Sequence, residues 1–327
     1  MSRRRPDESD VRIRPSRSTR PRSKDRPTHE DAVPAQVITV DRGRTLCRLS
    51  SGLEVSAMKA RELGKNSVVV GDQVGLVGDV SGKDGTLARI VSVSPRKNSL
   101  SRTIDDAGAF EKTIAANIDQ MLIVVASANP EPRHGFIDRC LAVAYDQGIT
   151  PIIVMTKRDL ANPSEFLKTY DALDVKHFVV QRGDDLSELI KLLANKESVL
   201  IGHSGVGKST LVNALTGEDK RATGDVNDTT GRGRHTSSSA IAFDIPNENG
   251  MIIDTPGVRS FGLEHIDRSR VISSFAELAS AIATCPKNCS HDEEKCGLND
   301  YVLEHPEAVQ RIAGLRRLLN TTSQPIT

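Results

Sequence analysis

The chain has 327 residues, 37% hydrophobic but only 3% aromatic and without tryptophan, enough for two or three domains with mainly aliphatic cores. A formal net charge of +1 points to no acidic or basic partner by itself. With no run of about 18 apolar residues, the sequence offers no helix that would span a membrane.

Residues 1–30 carry ten Lys/Arg against five Asp/Glu and almost no large apolar side chains. Such a stretch cannot bury enough surface to offset the entropy of ordering. Residues 1–34 are therefore expected to form a disordered basic arm, either a nucleic-acid contact or a solubilising tail. The arm lacks the apolar run of a signal peptide, and its acidic residues argue against a transit peptide.

Residues 35–100 contain short strands, among them Ala35–Val40, Thr45–Leu49, Gln73–Val77 and Leu87–Val93, separated by glycine-rich turns. This pattern predicts a small barrel or sandwich, with an OB-type barrel preferred. Ser94–Pro95 and the polar stretch to Arg102 are expected to be a linker. From residue 112 to 262, apolar strands (Met121–Ala126, Pro151–Met155, His177–Val180, Ser198–Ile201, Ala240–Ile245, Met251–Ile253) alternate with helical segments. The helices are predicted over Phe136–Gln147, Leu186–Ala194 and Ser209–Leu215. Together they predict a mostly parallel sheet covered on both faces. Residues 263–327 are expected to be helical around Val271–Ala283 and Pro306–Leu319.

The segment Gly202-His203-Ser204-Gly205-Val206-Gly207-Lys208-Ser209-Thr210 follows a predicted strand and opens a predicted helix, the context that makes a P-loop match specific. Its backbone N–H groups and helix N-terminus suit phosphates. Lys208 is expected to reach the β- and γ-phosphates and Ser209 to bind Mg²⁺. Asp254-Thr255-Pro256-Gly257 follows another strand. There Asp254 can hold a Mg²⁺-bound water and the Gly257 N–H can meet the γ-phosphate.

Thr156-Lys157-Arg158-Asp159 is similar to the guanine-reading NKxD motif. The Asp159 carboxylate can accept from guanine N1–H and the 2-amino group, donors that adenine lacks. The Lys157 stem is expected to pack along the base. Thr156 stands in place of the usual Asn, at an expected cost of about 0.5–1.5 kcal/mol, one hydrogen bond. In most GTPases this motif follows the P-loop and DxxG. Here it precedes both, so the motifs are circularly permuted. A sheet tolerates this order because its assembly depends on strand neighbours rather than on where the chain begins.

Three cysteines and a histidine, Cys285-x₃-Cys289-x-His291-x₄-Cys296, supply four ligands within twelve residues. They suit a closed tetrahedral site holding one structural Zn²⁺. Such clustering fits a reducing compartment, the cytoplasm, better than a disulfide framework. Cys47 and Cys140 stand apart.

The motif order, Pro95–Arg102 closing a β-rich region, Ile137-Asp138-Arg139, the loop Gly231–Thr236 and the Cys/His cluster resemble the circularly permuted, ribosome small-subunit-dependent GTPase A family (RsgA/YjeQ type). The resemblance implies an OB-fold, a central permuted GTPase and a C-terminal zinc-binding helical domain. It also implies GTP hydrolysis to GDP and phosphate, stimulated by the small ribosomal subunit during its late maturation, with rRNA binding. One departure is Val180-Gln181-Arg182, where the family has a small Ser-rich loop near the base.

Val258 follows the DxxG glycine and cannot hydrogen-bond a water, so unassisted hydrolysis is expected to be slow. Thr236 is the candidate to complete Mg²⁺ coordination. By resemblance His235 is assigned to the attacking water. Arg96, Lys97 and Arg102 are candidate rRNA contacts, with a solvated linker as the alternative. The chain is expected to act as a monomer. An RNA-binding module with negligible turnover, or an NTPase of other base specificity, remain the competing functions.

Overall fold

The computed structural model describes residues 29–41, 43–64, 67–103, 111–217, 240–255 and 266–322. The chain divides into a short unit, Met1–Asp31, and a main unit, Ala32–Thr327. The expected basic arm lies almost wholly outside the described residues, as do the loop with His235 and Thr236, and Gly257 and Val258.

Five strands close a barrel: β1 (Val33–Asp41), β2 (Arg44–Leu49), β3 (Glu54–Lys59), β4 (Gln73–Gly78) and β5 (Ala88–Val93). Their order is β1-β2-β3-β5-β4, and β4 pairs back onto β1. The β3–β5 pair is parallel and the other pairs are antiparallel, the strand plan of an OB-type barrel. Alternation puts Val37, Cys47, Val55, Ala57, Leu76 and Ile90 inside, all without solvent exposure. Burial pushes the Cys47 thiol up to about 12, so it behaves as a core apolar group.

The expected linker is partly a strand. A hairpin of β6 (Ser99–Thr103) and β7 (Glu111–Ala116) follows the barrel and is anchored by the backbone bridge Val70–Ala115. Two of the candidate RNA-contacting cations are internally engaged. Arg96 grips the fully buried Asp72 with two hydrogen bonds, 2.7 and 2.9 Å, and donates to the Ser67 carbonyl. Lys97 pairs with Asp119 at 2.7 Å.

The second layer system contains β8 (Gln120–Ala126), α1 (His134–Asp146), β9 (Thr150–Thr156), α2 (Ser164–Asp171), β10 (Lys176–Val179), α3 (Ser187–Leu193), β11 (Glu197–Ile201), α4 (Lys208–Thr216), β12 (Ile241–Ile245) and β13 (Gly250–Asp254). Strand order is β10-β9-β8-β11-β13-β12. All neighbours are parallel except β12, which is antiparallel to β13. Strands β8 and β13 are buried along their whole length, as expected where helices cover both faces. One pairing, Thr39 opposite Ile241, joins barrel and sheet through β1 and β12.

The expected helix over Val271–Ala283 is broken into α5 (Arg268–Ser273), a 3₁₀ turn (Ala276–Leu278) and α6 (Ala279–Ala283). Phe275, at φ −109° and ψ 60°, interrupts the helical path and buries its ring. Then follow α7 (Gly297–Glu304) and α8 (Val309–Thr321), and α8 packs on α1. No helix among the described residues is long and apolar enough to cross a membrane.

Asp72 is saturated by Arg96 and by the Val69 N–H at 2.8 Å. Asp72→Ala would leave a partly buried guanidinium unpaired. We expect a loss of about 3 kcal/mol in urea denaturation, the low end for a broken buried ion pair because Arg96 still reaches water. A loss under about 1 kcal/mol would show that the clasp is dispensable.

Candidate functional site

Because β8, β9, β10, β11 and β13 run in one direction, the loops after them emerge on one edge. That edge is where open α/β sheets bind ligands. Register fixes the neighbours: Ala126 lies opposite Thr156, Ile201 opposite Ile123, and Leu200 opposite Asp254. The motifs, scattered over 100 residues of chain, therefore meet.

The P-loop runs from β11 into α4. Gly207 caps α4 at φ +95°, a left-handed conformation suited to glycine. Gly202 is required by proximity: a Cβ there would stand 2.4 Å from the Val124 carbonyl oxygen. The Lys208 ammonium donates to the carbonyls of Gly202 and of His203, the latter at 2.8 Å. Ser209 and Thr210 occupy the first turn of α4, and Val206 is buried against the sheet. Ser204 and Gly205 form the exposed crest of the loop.

Thr156 ends β9, 7% exposed. Its hydroxyl donates to the Val206 carbonyl at 2.5 Å. Its own carbonyl accepts from the backbone N–H and hydroxyl of Ser127, at 2.9 and 3.0 Å. The predicted base-reading motif is thus bonded directly to the predicted phosphate loop. Next, Lys157 takes a left-handed φ of +57° and donates to the Asn129 carbonyl. Asp159 sits exposed in the turn that follows.

The loop after β10 folds onto the same motif. The Val180 N–H donates to the Met155 carbonyl at 2.8 Å, and Asp184 accepts from Arg158 (2.7 Å) and from the Gln181 N–H (2.9 Å). Asp254 is 4% exposed at the end of β13, and the adjacent Thr255 hydroxyl donates to the Leu200 carbonyl at 2.8 Å. A buried carboxylate such as Asp254 and a hydroxyl such as Ser209 are oxygen ligands of the kind a hard divalent cation takes.

Sequence reasoning missed the roles of Ser127, Asn129 and Phe136. The Phe136 ring meets that of His203 at 4.3 Å, and both line a cavity of about 280 Å³ with Pro130, Glu131, Arg133 and Ser204. Ser127, Asn129, Pro130, Glu131 and Arg133 belong to the β8–α1 connection and Phe136 to the first turn of α1, none of which carries a motif.

The Cys/His cluster is assembled apart from this edge. Sγ of Cys285 lies 3.6 Å from His291 Nδ1 and 3.7 Å from Cys296 Sγ, and Cys296 Sγ lies 3.9 Å from His291 Nδ1. All four ligand atoms, Cys289 included, fall within 4.8 Å of one another. Edges of about 3.5–3.8 Å are those of a tetrahedron with bonds of about 2.0–2.3 Å. Cys289 accepts from the His291 N–H at 3.4 Å. Its thiol is pushed up to about 12, first by desolvation and then by the Glu293 carboxylate, so a thiolate here needs a cation.

The RsgA GTPase family model matches residues 93–264. A small ribosomal subunit biogenesis GTPase RsgA of Nitrosospira multiformis is 36% identical over 270 residues, 80% of this chain and 83% of its own length. The chain belongs to the RsgA GTPase family. The protein of the same name from Ectopseudomonas mendocina is 38% identical over 264 residues, covering 77% of this chain and 74% of the relative. The fold resembles the crystal structure of YjeQ from Thermotoga maritima, with a TM-score of 0.65 at 24% identity over 89% of this chain and 98% of that one. It also resembles YloQ, described as a circularly permuted GTPase, with a TM-score of 0.63 at 20% identity over 91% and 98%. As a family member the chain is a GTP hydrolase, and membership implies GTP, GDP and Mg²⁺ as its ligands.

Thr156→Val keeps the side-chain shape but leaves the Val206 carbonyl without its donor. We expect a loss of about 1–3 kcal/mol in thermal or urea unfolding, and less for Thr156→Asn, which restores a donor. An unchanged stability in the valine variant would remove this bond from the account.

Proposed function

We propose that the chain is a GTP-driven switch that acts, as a monomer in the cytoplasm, on the small ribosomal subunit and its rRNA during late subunit maturation. The hydrogen bond from Thr156 to the P-loop supports this reading most directly, because it joins the predicted base-reading motif to the predicted phosphate loop. The names of the relatives, small ribosomal subunit biogenesis GTPases, support the partner.

In this reading Asp159 accepts from guanine and Lys157 lies along the base, while Thr156 braces the loop. Residues Gly202 to Thr210 cradle the phosphates through backbone N–H groups, and Lys208 leaves its loop carbonyls for the β- and γ-phosphates. Ser209 and Thr236 would hold Mg²⁺, with Asp254 behind a bound water; the ion supplies charge neutralisation at the phosphates. Gly257 offers its N–H to the γ-phosphate. Water attacks the γ-phosphorus, the bond to the β-phosphate oxygen breaks, and GDP and phosphate leave. Val258 cannot orient that water, which leaves the task to His235, brought into position by the ribosomal subunit. Separate domains are proposed for residues 35–100, 112–262 and 263–327. The last is built around one structural Zn²⁺ on Cys285, Cys289, His291 and Cys296.

Turnover of GTP with and without purified small subunits tests the function. We expect slow basal release of phosphate and strong stimulation that His235→Ala abolishes. No stimulation of the parent chain would contradict the proposed partner, and unchanged stimulation in the variant would remove His235. Elemental analysis of protein purified without chelators is expected to give about one zinc per chain, and none would remove the site.

A further inference from the structure

Two adjacent arginines on α8 hold different partners. Arg316 donates to the His291 carbonyl at 2.7 Å and to Asn299 at 2.6 Å, gripping the Cys/His cluster. Arg317 donates from Nε to Asp138 Oδ2 at 2.9 Å, gripping α1, and its guanidinium lies 5.3 Å from the Tyr170 ring centre.

The Asp138–Arg317 pair is only half made. Asp138 is 2% exposed, yet its Oδ1 and the Nη2 of Arg317 are both buried without a hydrogen-bond partner among the described residues. A carboxylate and a guanidinium commonly form two parallel bonds. Apolar side chains of similar volume would join two helices at least as well. Packing alone therefore does not account for these residue types.

The adjacent N-terminal turn of α1 explains them better. It carries His134, whose Nδ1 lies 3.0 Å from the buried Tyr170 hydroxyl, and Phe136, whose ring meets His203 of the P-loop. Asp138 stands one turn beyond His134, so a shift of α1 at Asp138 is carried to the Phe136–His203 contact.

We propose that Asp138 and Arg317 are a positioning pair through which the C-terminal helix α8 sets the stance of α1, and with it the grip of the P-loop on nucleotide. The proposal rests on the reading that the P-loop binds GTP. It makes the C-terminal region, clamped to the Cys/His cluster by Arg316, a regulator of nucleotide affinity.

The test uses the full chain and a fluorescent GTP analogue, with KM, kcat, zinc content and melting temperature measured alongside. Asp138→Asn is expected to weaken nucleotide binding about fivefold or more, with zinc content unchanged. Phe136→Leu is expected to shift affinity comparably, and the double variant no further than the stronger single, as for residues acting in series. Arg317→Lys, which keeps the charge, is expected to retain part of the affinity. If Asp138→Asn fails to fold, Arg317→Lys and Phe136→Leu carry the same comparison. Folded variants with parental affinity, KM and kcat, and only a lowered melting temperature, would overturn the proposal. A parent chain that binds no GTP, or binds it equally after Lys208→Ala, would instead overturn the underlying reading.

Discussion

One short bond organises the molecule: the Thr156 hydroxyl on the P-loop carbonyl of Val206. It exists because two parallel strands, β9 and β11, flank β8 and end at the same edge. The residues it joins are 50 apart in the chain, and their order in sequence is the reverse of that in most GTPases. Physical adjacency is set by strand neighbours, and those are unchanged by where the chain starts. The permuted order is thus compatible with the motifs meeting at one edge, and β12 pairs with the barrel strand β1.

The geometry around Thr156 shows how its hydroxyl is used. A hydroxyl has one proton, and here it is spent on the P-loop at 2.5 Å, while the Val125 carbonyl lies farther away at 3.3 Å. Ser127 meets the Thr156 carbonyl with both of its donors, the backbone N–H and the hydroxyl. The departure Val180-Gln181-Arg182 is similarly held in place, through Asp184 bridging Arg158 and the Gln181 N–H.

Much of the architecture was legible because periodic apolar runs and glycine turns are local signals. Strands at Met121–Ala126, Pro151–Met155 and Ser198–Ile201, the four named barrel strands, and the helix after the P-loop all appear near their predicted bounds. Strand β3 was missed because it is short and its only buried side chains, Val55 and Ala57, are small. Helix α2 was missed although Asn162 marks its start by accepting from the Ser164 N–H. Strand β6 falls within the expected linker because its residues, Ser99–Thr103, are mostly polar. What sequence could not reveal were contacts between distant segments, such as Asp72 with Arg96, Phe136 with His203, and Asp138 with Arg317. No local pattern announces a partner 179 residues away.

The central claim is that a carboxylate reading guanine and a backbone cradle for phosphates serve one nucleotide. Exchanging Asp159 for Asn replaces an acceptor with a donor, which suits the 2-oxo group of xanthine instead of the 2-amino group of guanine. Competitive binding of GTP and XTP to Asp159→Asn tests the claim most directly. The account predicts that GTP affinity falls, XTP affinity rises, and Lys208→Ala in the same background removes both. An Asp159→Asn chain that still prefers GTP as strongly as the parent would contradict it.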